Sequence, residues 1–285
     1  MENGQQTLGL CSSANRLFYA LADPDIPGSI NNVGSIDFSF SVSSVLENEA
    51  DPNFEGLRDA ITQVIREQKV KLARIVTIPA KECWSMLPKS VYDESEEREA
   101  YLQVLMFGNS RKELQPYWYD LTNQDYKLLA IRRNQTMRGY SRLTEFCSSA
   151  EFCSDFEIGD IWSSHSGSAS SFLTVSCYDG LLSISSFLLG KLRATTYFEF
   201  EDISDLPYLW LHCGEIQPWI NGMHDEILFY GHQAPEVAEI LKPYLKEGEV
   251  RVMNSLSSMQ LLHAEDQQFS FELAEAFPAI MLAVK

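Results

Sequence analysis

The stretch FLTVSCYDGLLSISSFLLGKLRATTYFEF, residues 172–200, decides the fold. It predicts three consecutive β-strands, broken at Asp179-Gly180 and at Gly190-Lys191. Apolar and polar side chains alternate in the last strand, which is the period of two expected when one face of a sheet is buried. Asp-Gly supplies the positive φ angles of a type I′ hairpin. The same dipeptide raises the question of whether this turn is the remnant of a phosphate-binding loop.

The rest of the second half alternates between helices and strands. Apolar residues at helical spacing after Asp202 predict a helix, with Pro207 tolerated because it lies near the first turn. A strand DEILFYG, a helix APEVAEILKPYL, a strand EVRVM and a helix FELAEAFPAIMLAV follow. We expect the last helix to be kinked or interrupted near Pro278. The predicted order is therefore βββαβαβα.

The first half has a similar order, although no residue-level repeat is visible. Strands are predicted at RLFYAL and at IDFSFSVS, where Ile36, Phe38, Phe40 and Val42 share one side. The next elements are the helix DPNFEGLRDAITQVIREQ, the strand ARIVTIP, the helix YDESEEREAYLQVLMF, the strand KLLAIRR and the helix NQTMRGYSRLTEF. Asn134 is expected to cap the last of these helices.

These patterns predict an α/β protein of two domains, each a mixed β-sheet with flanking helices in βββαβαβα order. A chain of 285 residues is long enough for two domains with separate cores. We expect the first domain to span residues 1–166 and the second to span residues 167–285. The boundary falls in GSASS, residues 167–171, because this segment is small and polar.

Composition and charge narrow the classes of partner. A net charge of −18 repels phosphate backbones and anionic lipid, so neither nucleic acid nor a membrane surface is expected to bind. No apolar run is long enough to insert into a membrane, and the N-terminal residues do not resemble a secretory signal. The six cysteines form no C-x-x-C pair, so we expect reduced thiols, a cytoplasmic location and no metal.

A duplicated βββαβαβα unit is typical of the actin-like ATPase superfamily, in which two ribonuclease-H-like domains face each other across a cleft. The chain resembles an uncharacterised bacterial family with this fold, and more distantly the pilus-assembly and secretion-platform members of the superfamily. The resemblance is carried by FLTVSCYDGLLSISSFLLGKL, EDISDLPYLWLHC and EILFYGHQAPEVAEILKPYL, in residues 172–192, 201–213 and 226–245.

The resemblance implies where a nucleotide site would lie. In superfamily members that bind nucleotide, the first hairpin of each domain carries a glycine- and threonine-rich loop, whose N–H groups hold the phosphates. A later glycine pair packs against the adenosine. The matching positions here are Asp179 and Gly180, without a threonine, and Gly231, which is followed by His232. The first half offers no D-x-G-x-T pattern at all.

Two hypotheses follow from these eroded motifs. The first is a non-catalytic binding or assembly protein that has kept the actin-like scaffold and uses no cofactor. The alternative is a nucleotide-dependent enzyme, an ATPase or phosphotransferase, whose divergent phosphate loop is built on Asp179, Gly180 and Gly231. The missing glycine-threonine loop favours the first hypothesis.

An aromatic segment is the remaining candidate site. Tyr117, Trp118 and Tyr119 lie close together in PYWYDLTNQDY, and such residues are enriched at protein interfaces. Half-buried strand residues have the same composition, so both interpretations stay open. We expect a protein partner, with self-association left open as a further alternative.

Overall fold

The structure is a computed structural model that describes residues 6–23, 25–48, 50–107, 112–167, 170–246, 248–263 and 269–285. The strands in this part of the chain are β1 Gln6–Ser13, β2 Arg16–Ala22, β3 Ser29–Asp37, β4 Val70–Thr77, β5 Glu82–Pro88, β6 Leu114–Asp120, β7 Tyr126–Arg133, β8 Ser149–Ser154, β9 Phe172–Tyr178, β10 Leu181–Leu188, β11 Lys191–Glu199, β12 Glu226–Gly231, β13 Glu249–Val252 and β14 Leu262–His263. The helices are α1 Val42–Glu47, α2 Phe54–Glu67, α3 Lys89–Asp93, α4 Ser95–Leu105, α5 Asn134–Leu143, α6 Glu157–Ser166, α7 Leu206–Ile216, α8 Ala234–Leu241 and α9 Leu273–Val284.

Two large mixed sheets organise the chain. The first has the order β14-β3-β2-β1-β4-β8, and the second has the order β11-β10-β9-β12-β13. In each sheet three consecutive strands pair antiparallel, and a later strand, β4 or β12, joins the first of the three in parallel. A further strand, β8 or β13, then pairs in parallel with β4 or β12, and the short strand β14 of the second half adds in parallel to β3 of the first sheet. The predicted α/β class with two sheet-containing units is therefore confirmed.

The second half follows the predicted order closely. Strands β9 and β10 are buried along almost their whole length, as central strands should be. Helix α7 begins at Leu206 with Pro207 in its first turn, as expected. Helix α9 runs through Pro278 without a break, where an interruption was expected, because nearly all of its residues are buried and packing holds it in place.

The first half departs from the prediction in one large feature. A three-stranded sheet of order β5-β7-β6, with α3 and α4, is inserted between β4 and β8 of the first sheet. We call it the inserted sheet. Sequence reasoning predicted β7 and α4 but neither β5 nor β6 as a strand. Strands β1 and β8 and helix α6 were also missed, since β1 is buried on both faces and β8 is largely polar.

Two local predictions in this half are wrong. The strand expected to run through IDFSFSVS ends at Asp37, and Val42 instead begins α1, whose N-terminus is capped by the side chain of Ser41. Asn134 does not cap α5, because it is already the first helical residue. Its side-chain amide donates to the carbonyl oxygen of Lys112 at 2.8 Å instead.

Two helices connect the halves through a shared core. Helix α9 packs on β1, β2 and β4 of the first sheet and also on β12 of the second, and α6 packs on β8, β10 and β11. The largest apolar cluster accordingly mixes residues from both sheets and both helices, including Phe18, Trp162, Phe187 and Phe277. The division at residue 166 stays a prediction; Ser168 and Ala169 of the predicted boundary lie outside the described residues.

Candidate functional site

The turn between β9 and β10 is a tight two-residue turn at Asp179 and Gly180. Gly180 is left-handed, with a φ of 71°, but Asp179 has no positive φ. A type I′ turn needs positive φ at both residues, so that prediction is wrong for this turn. The next turn does have positive φ at both residues, 52° at Leu189 and 72° at Gly190, and it lies one residue before the predicted Gly190-Lys191.

The corresponding turn of the first sheet lies between β1 and β2. It also has two residues, Ala14 and Asn15, and it contains no glycine. Both of its carbonyl oxygens are occupied, because Val42 N donates to Ala14 O at 2.9 Å and Phe38 N donates to Asn15 O at 2.8 Å. The segment between β3 and α1 thus fixes this turn.

Gly231, the last residue of β12, is explained by packing between strands. Its φ is 96°, and a Cβ placed there would lie 2.1 Å from the carbonyl oxygen of Cys177 in β9. The next N–H, that of His232, donates to the same oxygen at 2.8 Å. The glycine is therefore required by the approach of β12 to β9, and its presence does not by itself indicate a ligand.

Glu275, in the first turn of α9, lies between β2 of the first sheet and the end of β12 of the second, in the space that we call the cleft. One carboxylate oxygen lies 3.5 Å from Nδ1 of His232, the residue after β12. The other lies 3.8 Å from Nη1 of Arg16, the residue after the β1–β2 turn. Arg16 also pairs with Asp37. We call Arg16, Asp37, Asp179, His232 and Glu275 the cleft cluster.

The charges of the cleft cluster affect one another. The hydrogen bond with Glu275 raises the pKa of His232, and the charges of Glu275 and Asp179 act in the same direction against the opposing effect of burial. The cluster holds three carboxylates against one arginine and one histidine. Its net charge is therefore negative when His232 is neutral and near −1 when it is protonated.

A second charged group lies deeper, where the inserted sheet meets the first sheet. Glu82 and Arg132 form an ion pair with 2.7 Å between Oε1 and Nε, and their side chains are 0% and 2% exposed. Glu82 also accepts hydrogen bonds from Trp84 Nε1 at 2.6 Å, from Ser154 Oγ at 2.7 Å and from the Thr77 hydroxyl. Both oxygens of this buried carboxylate are thus satisfied.

Arg132 extends this group toward β6 and α6. Its guanidinium donates to the Tyr119 hydroxyl at 2.8 Å, and that hydroxyl donates to Glu157 Oε1 at 3.0 Å. The backbone N–H of Ser154 donates to the same Glu157 oxygen at 2.7 Å. We call Glu82, Arg132, Ser154, Glu157 and Tyr119 the buried network. It ties the inserted sheet to the ends of β4 and β8.

The pKa values of the acidic side chains in and around the buried network are raised. Burial raises the pKa of Glu157, although the Ser154 N–H and Arg132 oppose it. Burial and the charge of Glu157 raise the pKa of Asp160 to about 7. Asp155, between β8 and α6, is also buried; it accepts from Ser176 Oγ at 2.8 Å and from the Tyr178 hydroxyl at 2.6 Å. Sequence reasoning missed Asp155, because β8 and α6 were not predicted.

The three aromatic candidates alternate between the two faces of β6. Tyr119 belongs to the buried network. The Tyr117 ring lies on the same face of the strand, with the Arg132 guanidinium 4.3 Å from its centre. Trp118 points the other way and packs edge-to-face on Tyr92, with ring centres 4.9 Å apart. Since all three are half-buried and do not form one surface, their use as an interface stays a prediction.

The described residues contain neither a metal-binding cluster nor a membrane-spanning helix. Within those ranges, no three His, Cys, Asp or Glu side chains come together in a way that could hold a metal ion. None of the helices in this part of the chain has the length and apolarity required to cross a bilayer.

Comparison with known proteins identifies the fold. No family model and no curated protein matches the chain. A Bacteroides thetaiotaomicron protein "with actin-like ATPase fold and unknown function" is 18% identical, with 91% of this chain and 95% of that one covered and a TM-score of 0.51. The PilM-PilN type IV pilus biogenesis complex is 12% identical, with coverage of 97% and 96% and a TM-score of 0.65. An inorganic polyphosphate/ATP-glucomannokinase from Arthrobacter is 8% identical, with coverage of 98% and 99% and a TM-score of 0.50.

These similarities show that the chain has the actin-like ATPase fold, which confirms the predicted resemblance. At these identities they show the fold alone. The same scaffold occurs in a complex of pilus biogenesis and in a kinase, so the function has to be argued from the site.

Proposed function

We propose that this chain is a non-catalytic binding or assembly protein that has kept the actin-like scaffold without a working nucleotide site. The observation that carries the proposal is the position of Glu275 between Arg16 and His232. A triphosphate placed between the two turns would meet this carboxylate together with Asp37 and Asp179. Like charges at short range are repulsive, and three carboxylates against one arginine leave this position net negative while His232 is neutral.

The backbone supplies a second argument against the alternative. A divergent phosphate loop would be built on Asp179, Gly180 and Gly231. The first two form a two-residue turn with few N–H groups to offer, and Gly231 is accounted for by its contact with Cys177. An ATPase or phosphotransferase would therefore lack the N–H-lined loop that holds phosphates.

The proposed partner is a protein. One of the similar structures is a complex of two pilus biogenesis proteins, so the scaffold is compatible with stable assembly. The negative charge of the chain disfavours nucleic acid. We further propose a cytoplasmic location and a division into residues 1–166 and 167–285; self-association is left as the alternative to a different partner.

Isothermal titration with Mg·ATP tests the proposal. We expect no saturable heat at several millimolar nucleotide and no release of phosphate. The matched control is Asp179→Asn, which removes one repulsive charge without changing the size of the side chain. A saturable heat in the wild-type protein would reject the proposal in favour of the nucleotide-dependent enzyme, and its loss in Asp179→Asn would assign Asp179 to the phosphate loop.

A further inference from the structure

Two edge strands from different sheets lie beside one another and enclose a groove. Strand β5 is an edge of the inserted sheet, and β11 is an edge of the second sheet. The space between them has a volume of about 370 Å³ and is lined by residues 83–86 of β5 and 195–197 of β11, with Leu128 and Gln217. We call it the β5–β11 groove.

The ends of the groove fix how its two strands run. At one end the Tyr197 hydroxyl donates to Glu82 O at 3.1 Å, and its ring packs edge-to-face on Trp84. At the other end the β6–β7 turn touches the start of β11, where Thr122 N donates to Leu192 O at 2.8 Å. Strand β5 starts at Glu82, at the contact with Tyr197, and runs away from it. Strand β11 starts at Lys191, at the other end, and runs toward that contact. The two strands are therefore antiparallel to each other.

The groove side of β5 retains free backbone groups. Glu82 O and Met86 O accept from the hydroxyls of Tyr197 and Tyr101, so these carbonyls point away from β7. Orientation alternates along an antiparallel ladder, so the N–H and C=O of Trp84 face the same way. Among the described residues no group bonds to them on that side. Unpaired groups on a strand edge are a template for another strand.

Three lysines, Lys89, Lys127 and Lys191, lie at the end of the groove next to the β6–β7 turn. Lys127 pairs with Asp120, and neither Lys89 nor Lys191 has a carboxylate partner among the described residues. The Lys127 hydrogen bond holds the pKa of Asp120 below its usual range, and the charges of Lys127, Lys89 and Lys191 act in the same direction. In a chain of net charge −18, this is a local excess of positive charge.

We propose that the β5–β11 groove binds an extended, acidic segment of a partner protein, which adds as a β-strand to the edge of β5. The unpaired N–H and C=O of Trp84 would supply backbone hydrogen bonds, and Lys89 and Lys191 would select acidic side chains at one end of the segment. Trp84 and Tyr197 give its apolar side chains a surface to pack on. This inference deepens the proposed binding function and rests on it.

A peptide selection tests the groove. A random twelve-residue display library is selected on the wild-type protein, with the double variant K89E/K191E as counter-selection. We expect the enriched peptides to be acidic, free of proline and alternating in polarity. Their synthetic copies should bind the wild type about tenfold or more tightly than K89E/K191E, and less tightly as salt is added. The control K71E/K242E has the same charge change outside the groove and should bind like the wild type.

Cys83 provides an independent readout, because its side chain lines the groove and is exposed. Bound peptide should slow alkylation of Cys83 in the wild type and leave its rate unchanged in K89E/K191E. The proposal is overturned if no peptide is enriched, if the enriched peptides are basic or bind both proteins equally, or if Cys83 reacts at the same rate with and without peptide. If alkylation of Cys83 instead becomes slower as the protein concentration rises, and the mass in solution doubles, the occupant of the groove is a second copy of this chain. That result would also overturn the proposal.

This test and the nucleotide titration fail separately. A negative peptide result with no nucleotide heat removes only the groove proposal and leaves a binding protein whose contact surface lies elsewhere. Saturable nucleotide heat rejects the proposed function itself, whatever the peptides do.

Discussion

The buried network and the cleft cluster are both built around a carboxylate paired with an arginine. They differ in the exposure of these side chains and in how many hydrogen-bond partners the charged groups have. In the network, Glu82 and Arg132 are 0% and 2% exposed and are surrounded by donors and acceptors at short range. In the cleft, Glu275 is 12% exposed, and its partners Arg16 and His232 are 33% and 35% exposed at longer distances. The first arrangement fixes the position of one sheet on another, whereas we expect the second to be weaker and to respond to pH through His232.

The largest effect should come from breaking the buried network. Arg132→Met leaves Glu82 as an uncompensated charge in the interior, which costs about 3–5 kcal/mol in the free energy of unfolding. Urea unfolding measures it. The matched control is the double variant E82Q/R132M, which removes both charges and should recover a large part of the loss. A loss below about 1 kcal/mol in R132M would show that the pair is not as buried as described.

The next effect concerns the outer face of the inserted sheet. Trp118 packs against Tyr92 and the small apolar cluster around Leu129. Trp118→Ala should lower the free energy of unfolding by about 2–3 kcal/mol, less than for a fully buried tryptophan because this side chain is half-buried. Thermal unfolding and light scattering are measured together. Unchanged stability with weakened association would instead support the interface prediction for Tyr117, Trp118 and Tyr119.

A smaller loss is expected at the turn beside the cleft cluster. Gly180→Ala puts a side chain on a residue with a φ of 71°, which costs about 1–2 kcal/mol. The new Cβ would also lie 3.3 Å from the carbonyl oxygen of Phe200, a close contact. Gly56→Ala is the control, since its Cβ would meet nothing within 4 Å. Equal stability of the two variants in urea would contradict the left-handed turn.

The smallest effect is the pH dependence of the cleft cluster. The pKa of His232 is raised above its ordinary value of 6.5 by Glu275. Its contribution is therefore fully present below pH 6.5 and is lost as pH rises through the folded-state pKa. The stability difference between the wild type and His232→Gln should be larger at pH 5.5 than at pH 8, by about 0.2–1 kcal/mol, because both side chains are partly solvated. In Glu275→Gln this difference should become smaller, with only the charge of Asp179 left to favour protonated His232; a difference that grows with pH would contradict the assignment.

Local signals explain which parts of the fold could be predicted. Strand β11 alternates in polarity, β9 and β10 are more apolar, and turn residues separate all three within 29 residues of sequence, so their order and pairing could be predicted. Strand β8 is polar at Ser149 and Glu151, and β1 has no alternation of apolar and polar residues, so neither has the sequence pattern that predicts a strand. The turn type at Asp179 was misjudged, because the dipeptide alone does not determine φ at its first residue.

The sites were less predictable than the fold, since they depend on contacts between distant residues. Glu82 and Arg132 are 50 residues apart in sequence, and neither belongs to a recognisable motif. Glu275 meets Arg16 only because α9 returns from the second half to the first sheet. The sequence indicated that the nucleotide motifs were eroded. That an acidic side chain lies between their remnants required the structure.

The central claim is that the cleft does not bind nucleotide, and thermal unfolding with and without Mg·ATP tests it most directly. A ligand at about a hundredfold its dissociation constant stabilises a protein by about 2.7 kcal/mol, which for a chain of this size is a rise of several degrees in Tm. We predict the same Tm with and without several millimolar Mg·ATP, in the wild type and in Asp179→Asn alike. A saturable rise in the wild type would contradict the account, and its loss in Asp179→Asn would assign Asp179 to the nucleotide site.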